Sequence, residues 1–182
     1  MTRAANRGMG AALTAIALAL TPAAQASPAT LPAIFPAPAA MTLGDGTVTL
    51  GRAVTLIVAP GTEPETATLV RDLLTQAGVT DIATAKRLPA ALDRPTIVIG
   101  PDSTALVREA LSRSNASADD AREGYTLTAL AAGQGGLITL AGHDADGLFH
   151  AAQTLRQLLT RKAIPTLTIR DHPAMPIRGT IE

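Results

Sequence analysis

GYTLTALAAGQGGLITLAGHDADGLFHAAQTLRQLL, residues Gly124–Leu159, decides how this chain folds. Gly124 to Leu130 alternates apolar and polar residues, and so does Leu137 to Ala141, which is the two-residue period of a strand with one wet face. Gly133-Gln134-Gly135-Gly136 joins them and predicts a hairpin with a loose loop. A helix is then predicted from about Asp144 to Leu159. Leu148, Ala152, Leu155 and Leu159 fall along one line, with Ala151 and Leu158 beside it. A hairpin this late in the chain excludes a wholly parallel sheet.

Upstream, Val54 to Val58 is a short, continuously apolar strand, the pattern of a strand covered on both faces. Thr62-Glu63-Pro64-Glu65 predicts a capped helix start with proline in its first turn. Ala67, Leu69, Val70, Leu73, Leu74 and Ala77 form its stripe, and Gly78 ends it. Ile82 to Ala85 is a weak strand and Thr96 to Ile99 a strong one. Ser103 or Thr104 caps a second helix running through Leu111. Met41–Leu43 and Val48–Leu50 flank Gly44-Asp45-Gly46 and predict a hairpin. Ser112 to Glu123 reads as a polar, mobile loop, and Pro165 to Ile169 as the last strand. The economical architecture is an α/β (α+β) two-layer sandwich: a mixed β-sheet with about three helices packed mainly on one face.

The first 26 residues read as a signal peptide. Arg3 and Arg7 precede the apolar run Ala11–Leu20, and Ala24-Gln25-Ala26 supplies a cleavage pattern before Ser27. The run is shorter than the roughly 20 residues a membrane span needs, so the expectation is export to the extracellular space with no membrane attachment after cleavage. Residues 27–38 are a Pro/Ala-rich extended leader, residues 39–171 the α/β domain, and residues 172–182 a linker and one further strand. Loss of Arg3 and Arg7 leaves 13 basic against 15 acidic residues, which argues against nucleic acid as a partner. Absence of cysteine in an exported chain requires a core that holds without disulfides. Phe35, Tyr125 and Phe149 are the three aromatics. Two are expected inside, which leaves little for stacking sugars.

The residues that could carry chemistry do not assemble into a motif. Gly133-Gln134-Gly135-Gly136 lies between two strands, where a phosphate-cradling loop would need a helix after it. His143 and His150 are seven apart, but spacing places no third ligand for zinc. Asp119 and Asp120 are expected to be solvated. Asp144 and Asp146 suit a helix N-terminus. Neither pair presents two carboxylates at the spacing sugar hydrolysis uses. The expectation is therefore no catalytic residue, no metal and no cofactor in this chain.

A resemblance sharpens this. Gly142–Leu159, with Thr154-Leu155-Arg156-Gln157-Leu158 as its sharpest block, is followed by Ile169-Arg170-Asp171-His172-Pro173 and then Arg178-Gly179. With the weaker Ile34-Phe35-Pro36-Ala37-Pro38, these resemble the non-catalytic N-terminal domain of bacterial β-N-acetylhexosaminidases. That domain precedes a (β/α)₈ barrel in glycoside hydrolase families 20 and 84. Arg178-Gly179-Thr180-Ile181-Glu182 is similar to the first barrel strand of family 84, while His172 departs from the tyrosine common before Pro173. The resemblance implies a parent enzyme that acts on N-acetylglucosamine-containing glycans. It would use the substrate's own acetamido group, assisted by two barrel aspartates absent from this chain. It implies a structural role for this domain against its own barrel, and no turnover by the 182-residue chain alone. Arg178, Gly179 and Glu182 would touch substrate only within a complete barrel. A free-standing glycan-binding module is the alternative, and the aromatic shortage counts against it.

Overall fold

The computed structural model describes residues 33–160 and 163–175. The stretch expected to be a signal peptide and residues 178–182 lie outside the described residues. Within them, seven strands form one mixed sheet and three helices pack on it. The strands are β1 (Ala40–Thr49), β2 (Ala53–Val58), β3 (Asp81–Thr84), β4 (Pro95–Pro101), β5 (Tyr125–Leu130), β6 (Gly136–Gly142) and β7 (Ala163–Asp171). The helices are α1 (Pro64–Gln76), α2 (Ala105–Arg113) and α3 (Ala145–Leu158). Strand order is β1-β7-β5-β6-β4-β2-β3. Strands β3, β2, β4 and β6 are parallel neighbours, whereas β5 runs antiparallel to both β6 and β7, and β1 antiparallel to β7. Among the described residues no helix is long and apolar enough to cross a membrane.

Side-chain alternation divides the core in two. Leu56, Ile97, Ile99, Leu127, Leu140 and Ile169 point to the face that carries α1 and α3 and meet Val70, Leu74, Ala151 and Leu155 there. Ile57, Val98, Leu137 and Ala141 point the other way, onto Val107, Ala110 and Leu111 of α2. The mixed sheet with helices mainly on one face is thus the one the patterning predicts. α2 makes a smaller second cover over β4 and β6.

The caps follow their residue chemistry with one exception. Asp144 Oδ1 accepts from Gly147 N–H at 2.8 Å and starts α3, and Thr104 caps α2 through Val107 N–H. At α1 the N-cap is Glu63, which makes no side-chain cap bond. Thr62 is drawn away because its hydroxyl donates to the Ala59 carbonyl at 2.7 Å. Gly78 N–H reaches the Thr75 carbonyl and Val79 N–H the Leu74 carbonyl, closing α1 as predicted.

Three expectations are corrected. Gly44-Asp45-Gly46 does not reverse the chain. β1 is one strand, and its pairing with β7 jumps from Leu43↔Leu167 to Thr47↔Pro165. Three residues of β1 therefore bulge opposite Thr166 alone. Gly46 takes φ +88°, and a Cβ on Gly44 would lie 2.7 Å from the Thr166 methyl, so the glycines serve a bulge. The segment between α2 and β5 is not free. Asp119 within it is 5% exposed, and Thr126 and Arg170 donate to the carbonyls of Ser117 and Ala118. The expectation of two internal aromatics also fails. Tyr125 is buried, while Phe35 is 87% and Phe149 45% exposed, because each sits on the outer side of its segment.

Candidate functional site

A set of converging polar groups lies where the leader, α3 and the end of β7 meet. It surrounds a cleft of about 500 Å³ lined by Ile34, Glu123, Tyr125, His150, Gln153 and Asp171, among others. Every stretch that carried the hexosaminidase resemblance and lies within the described residues contributes to it. The sequence displays those stretches separately, with more than a hundred residues between the first and the last.

The leader is fastened on one side to α3. Gln157 Oε1 accepts from Phe35 N–H at 2.9 Å, and Gln157 Nε2 donates to the Phe35 carbonyl at 3.0 Å. One side-chain amide thus satisfies both backbone groups of a residue in no strand or helix, as a sheet neighbour would. On the other side Ala39 N–H donates to Asp171 Oδ1 at 3.0 Å. Gln157 is on α3 because its turn continues the line of buried Ala151, Thr154 and Leu158. Asp171 is the last residue of β7.

Beneath the leader sits a buried hydroxyl pair. Tyr125 Oη donates to Asp171 Oδ2 at 3.2 Å. A carboxylate only accepts and Tyr125 has one proton. The 2.7 Å contact to Thr154 Oγ1 is therefore a bond in which Thr154 donates and Tyr125 accepts. Burial is the main cause that pushes the Tyr125 hydroxyl well above the ordinary tyrosine range. The Thr154 bond works against it, and the Asp171 charge adds to it. Tyr125 is a protonated tie between β5, α3 and β7.

Two histidines flank the cleft. His150 Nε2 lies 3.6 Å from Glu123 Oε2. His172 Nδ1 lies 3.2 Å from Asp119 Oδ2, so Nδ1 carries the proton in that bond. Asp119 Oδ1 accepts from Ala121 N–H at 3.1 Å, and Arg170 Nη2 stands 3.8 Å from Asp119 Oδ2. The polar residue at 172 therefore fastens the strand exit to the 114–124 segment. Asp144 joins the same region, its Oδ2 accepting from Glu123 N–H at 2.8 Å. Partial burial raises the Asp144 carboxyl, but the Gly147 and Glu123 amide bonds, with His143 and Arg122 nearby, outweigh it and hold the carboxyl below its usual range. Gly147 is required here, because any side chain on it would strike the Gly124 carbonyl.

These bonds fasten segments together. Asp171 has both oxygens engaged, Asp119 is buried among donors, and Glu123 faces His150. His143 and His150 do not share a site, since His143 pairs with Asp102 at 3.2 Å. Among the described residues no group of three or more His, Cys, Asp or Glu could hold a metal ion. Asp146 is at the first turn of α3, as its charge favours. Arg178, Gly179 and Glu182 lie outside the described residues. Sequence reasoning missed Gln157, Asp171 and Tyr125 as one unit. Their clustering depends on β7 lying beside β5, for which the sequence carries no local signal.

Comparison with known proteins agrees with this anatomy. Residues 31–172 match the family described as glycosyl hydrolase family 20, domain 2. The fold is similar to that of CpGH84D (TM-score 0.66, 18% identity), over 77% of this chain and 24% of that one. It is also similar to that of CpGH84B (TM-score 0.63, 20% identity), over 81% of this chain and 24% of that one. The chain thus spans about a quarter of the length of these solved chains. The match begins within the leader and ends at His172, which lines the cleft, and it covers well over half of the sequence: the chain belongs to the glycosyl hydrolase family 20 domain 2 family.

Proposed function

We propose that this is the non-catalytic accessory domain of a secreted hexosaminidase, and that its task is to seat and orient a catalytic (β/α)₈ barrel following β7. The observation that carries this reading is the fastening of Asp171, where β7 ends, to the leader and to Tyr125. A segment leaving a domain at a fixed place and angle needs such ties. A barrel of that kind takes about 200 residues or more and builds its site at the C-terminal ends of its strands. The share of each relative's length that this domain matches leaves room for one. The parent's substrates are N-acetylglucosamine-containing glycans, opened with assistance from the substrate's acetamido group. In that parent Arg178, Gly179 and Glu182 belong to the first barrel strand and its sugar pocket.

The test is an assay of the 182-residue chain on a chromogenic N-acetyl-β-glucosaminide, expected to show no turnover above buffer. Turnover that disappears in Glu123→Gln or Asp171→Asn would overturn the reading. Export predicts a mature chain beginning at Ser27, read by N-terminal sequencing of protein from the medium. The exposed rings of Phe35 and Phe149 favour, as a second reading, a free glycan-binding module. Calorimetry with chitin or hyaluronan oligosaccharides decides it, and the accessory role predicts no measurable heat.

A further inference from the structure

We infer that the rim of the leader–α3 cleft, with Phe35 as its anchor, is the surface on which the following domain docks; this rests on the accessory-domain reading above. The described residues carry four exposed large apolar side chains: Phe35, Val58, Phe149 and Met175. Met175, 68% exposed, stands where the chain leaves the domain, two residues after Pro173 at the cleft. Phe35, 87% exposed, lies between Ile34 and Pro36, which line the cleft. Phe149 lies one turn of α3 before Gln153, which lines the same cleft.

Phe35 is presented rather than left over. Both its backbone groups are held by Gln157, while buried Ile34 pins the residue before it. The backbone that carries the ring is thereby fixed and needs no further ordering on binding, which suits an interface anchor. Between Phe149 and Gln157 the helix has one fully charged residue, Arg156, whereas α1 carries Glu65, Arg71 and Asp72. Aromatic side chains on a stretch with few charges suit the core of an interface.

The occupant follows from the tether. Asp171-His172-Pro173-Ala174-Met175-Pro176 spans at most about 18 Å from Asp171 to Pro176, at roughly 3.6 Å per residue. A domain attached there begins beside this rim and at high effective concentration. Strand β3 and lone Val58 lie at the far side of the sheet.

The experiment compares amide hydrogen exchange in the 182-residue chain and in the polypeptide where this domain precedes its barrel. The expected result is at least tenfold slower exchange around Phe35 and Phe149 in the longer chain. Phe35→Ser with Phe149→Ser should abolish that protection there, while the 182-residue chain still unfolds in one cooperative transition. Val58→Ser should leave the protection in place. Protection confined to the α2 face or the β3 edge overturns this docking surface and leaves the accessory role standing. A polypeptide with no barrel after Glu182 overturns both.

Discussion

The two halves of the sheet solve different problems. In the parallel half, β2 and β4 are covered on both faces, and Leu56, Ile57, Ile97, Val98 and Ile99 are all fully buried. In the antiparallel half only one face is apolar. Tyr125, Leu127 and Ala129 of β5 and Leu167 and Ile169 of β7 face α3. The opposite face carries a row of threonines in register: Thr42 beside Thr168, Thr168 beside Thr128, and Thr128 beside Thr139. A strand roofed on both sides has to be continuously apolar, while a strand roofed on one side can alternate. The cleft and its ties are built at the end of the alternating half. Polar residues there can be held without opening the main core.

The largest effect should come from the parallel half. Ile97→Ala removes a fully buried side chain between β2 and β6, and should cost about 2–5 kcal/mol, read as a lower urea midpoint. If it cost less than Ile169→Ala, the assignment of the tighter core to the parallel half would be wrong.

In the antiparallel half Tyr125→Phe keeps the ring and removes the hydroxyl that links Thr154 and Asp171. It should cost about 1–3 kcal/mol at neutral pH, since two partners lose a buried bond. The sign of its pH dependence follows from the raised hydroxyl. The folded state keeps its proton above about pH 10, where the unfolded chain gives it up. Stability from this group is complete below that range and declines as pH rises through it. Denaturant titrations at pH 9 and pH 11 should show the decline in the wild-type chain and a smaller one in Tyr125→Phe.

Asp144 works in the opposite direction. Its carboxyl is held below the usual range, so its contribution is present above about pH 4 and is lost as pH falls further. Asp144→Ala should cost about 0.5–2 kcal/mol at pH 7 and flatten the acid limb of the stability profile. Asp144→Asn retains an oxygen that accepts from Gly147 N–H and should cost less, while also flattening that limb. An unchanged acid limb in both variants would refute the account of this cap.

These contrasts also show what the sequence could reveal. Helices with complete signals were legible: Gly78 closing α1, Asp144 opening α3, and the stripe through Leu148 and Leu155. The hairpin of β5 and β6 was legible because its partners adjoin. Gly44-Asp45-Gly46 misled because a turn and a bulge use the same residues. The difference is set by Thr166 of β7, more than a hundred positions away. Asp119 misled because its surroundings in sequence are polar, whereas its surroundings in space are Arg170 and His172. The cleft was visible only as pieces. Gln157 and Phe35 are separated by 122 positions, and nothing at either one announces the other.

The smallest expected effect is the sharpest test of the threonine row. Thr128 and Thr139 are both buried and sit opposite each other, yet their hydroxyls differ. Thr128 Oγ1 donates to Ser114 Oγ at 3.1 Å, whereas Thr139 Oγ1 has no partner among the described residues. A buried hydroxyl without a partner bears its desolvation cost uncompensated, and the nearly isosteric valine removes that cost. Thr139→Val should therefore leave stability unchanged or raise it by up to about 1 kcal/mol, while Thr128→Val should lower it by about 1 kcal/mol. Equal losses in the two variants, measured by thermal melts side by side, would mean that Thr139 has a bonding partner after all. The alternating half would then be as fully satisfied as the apolar one.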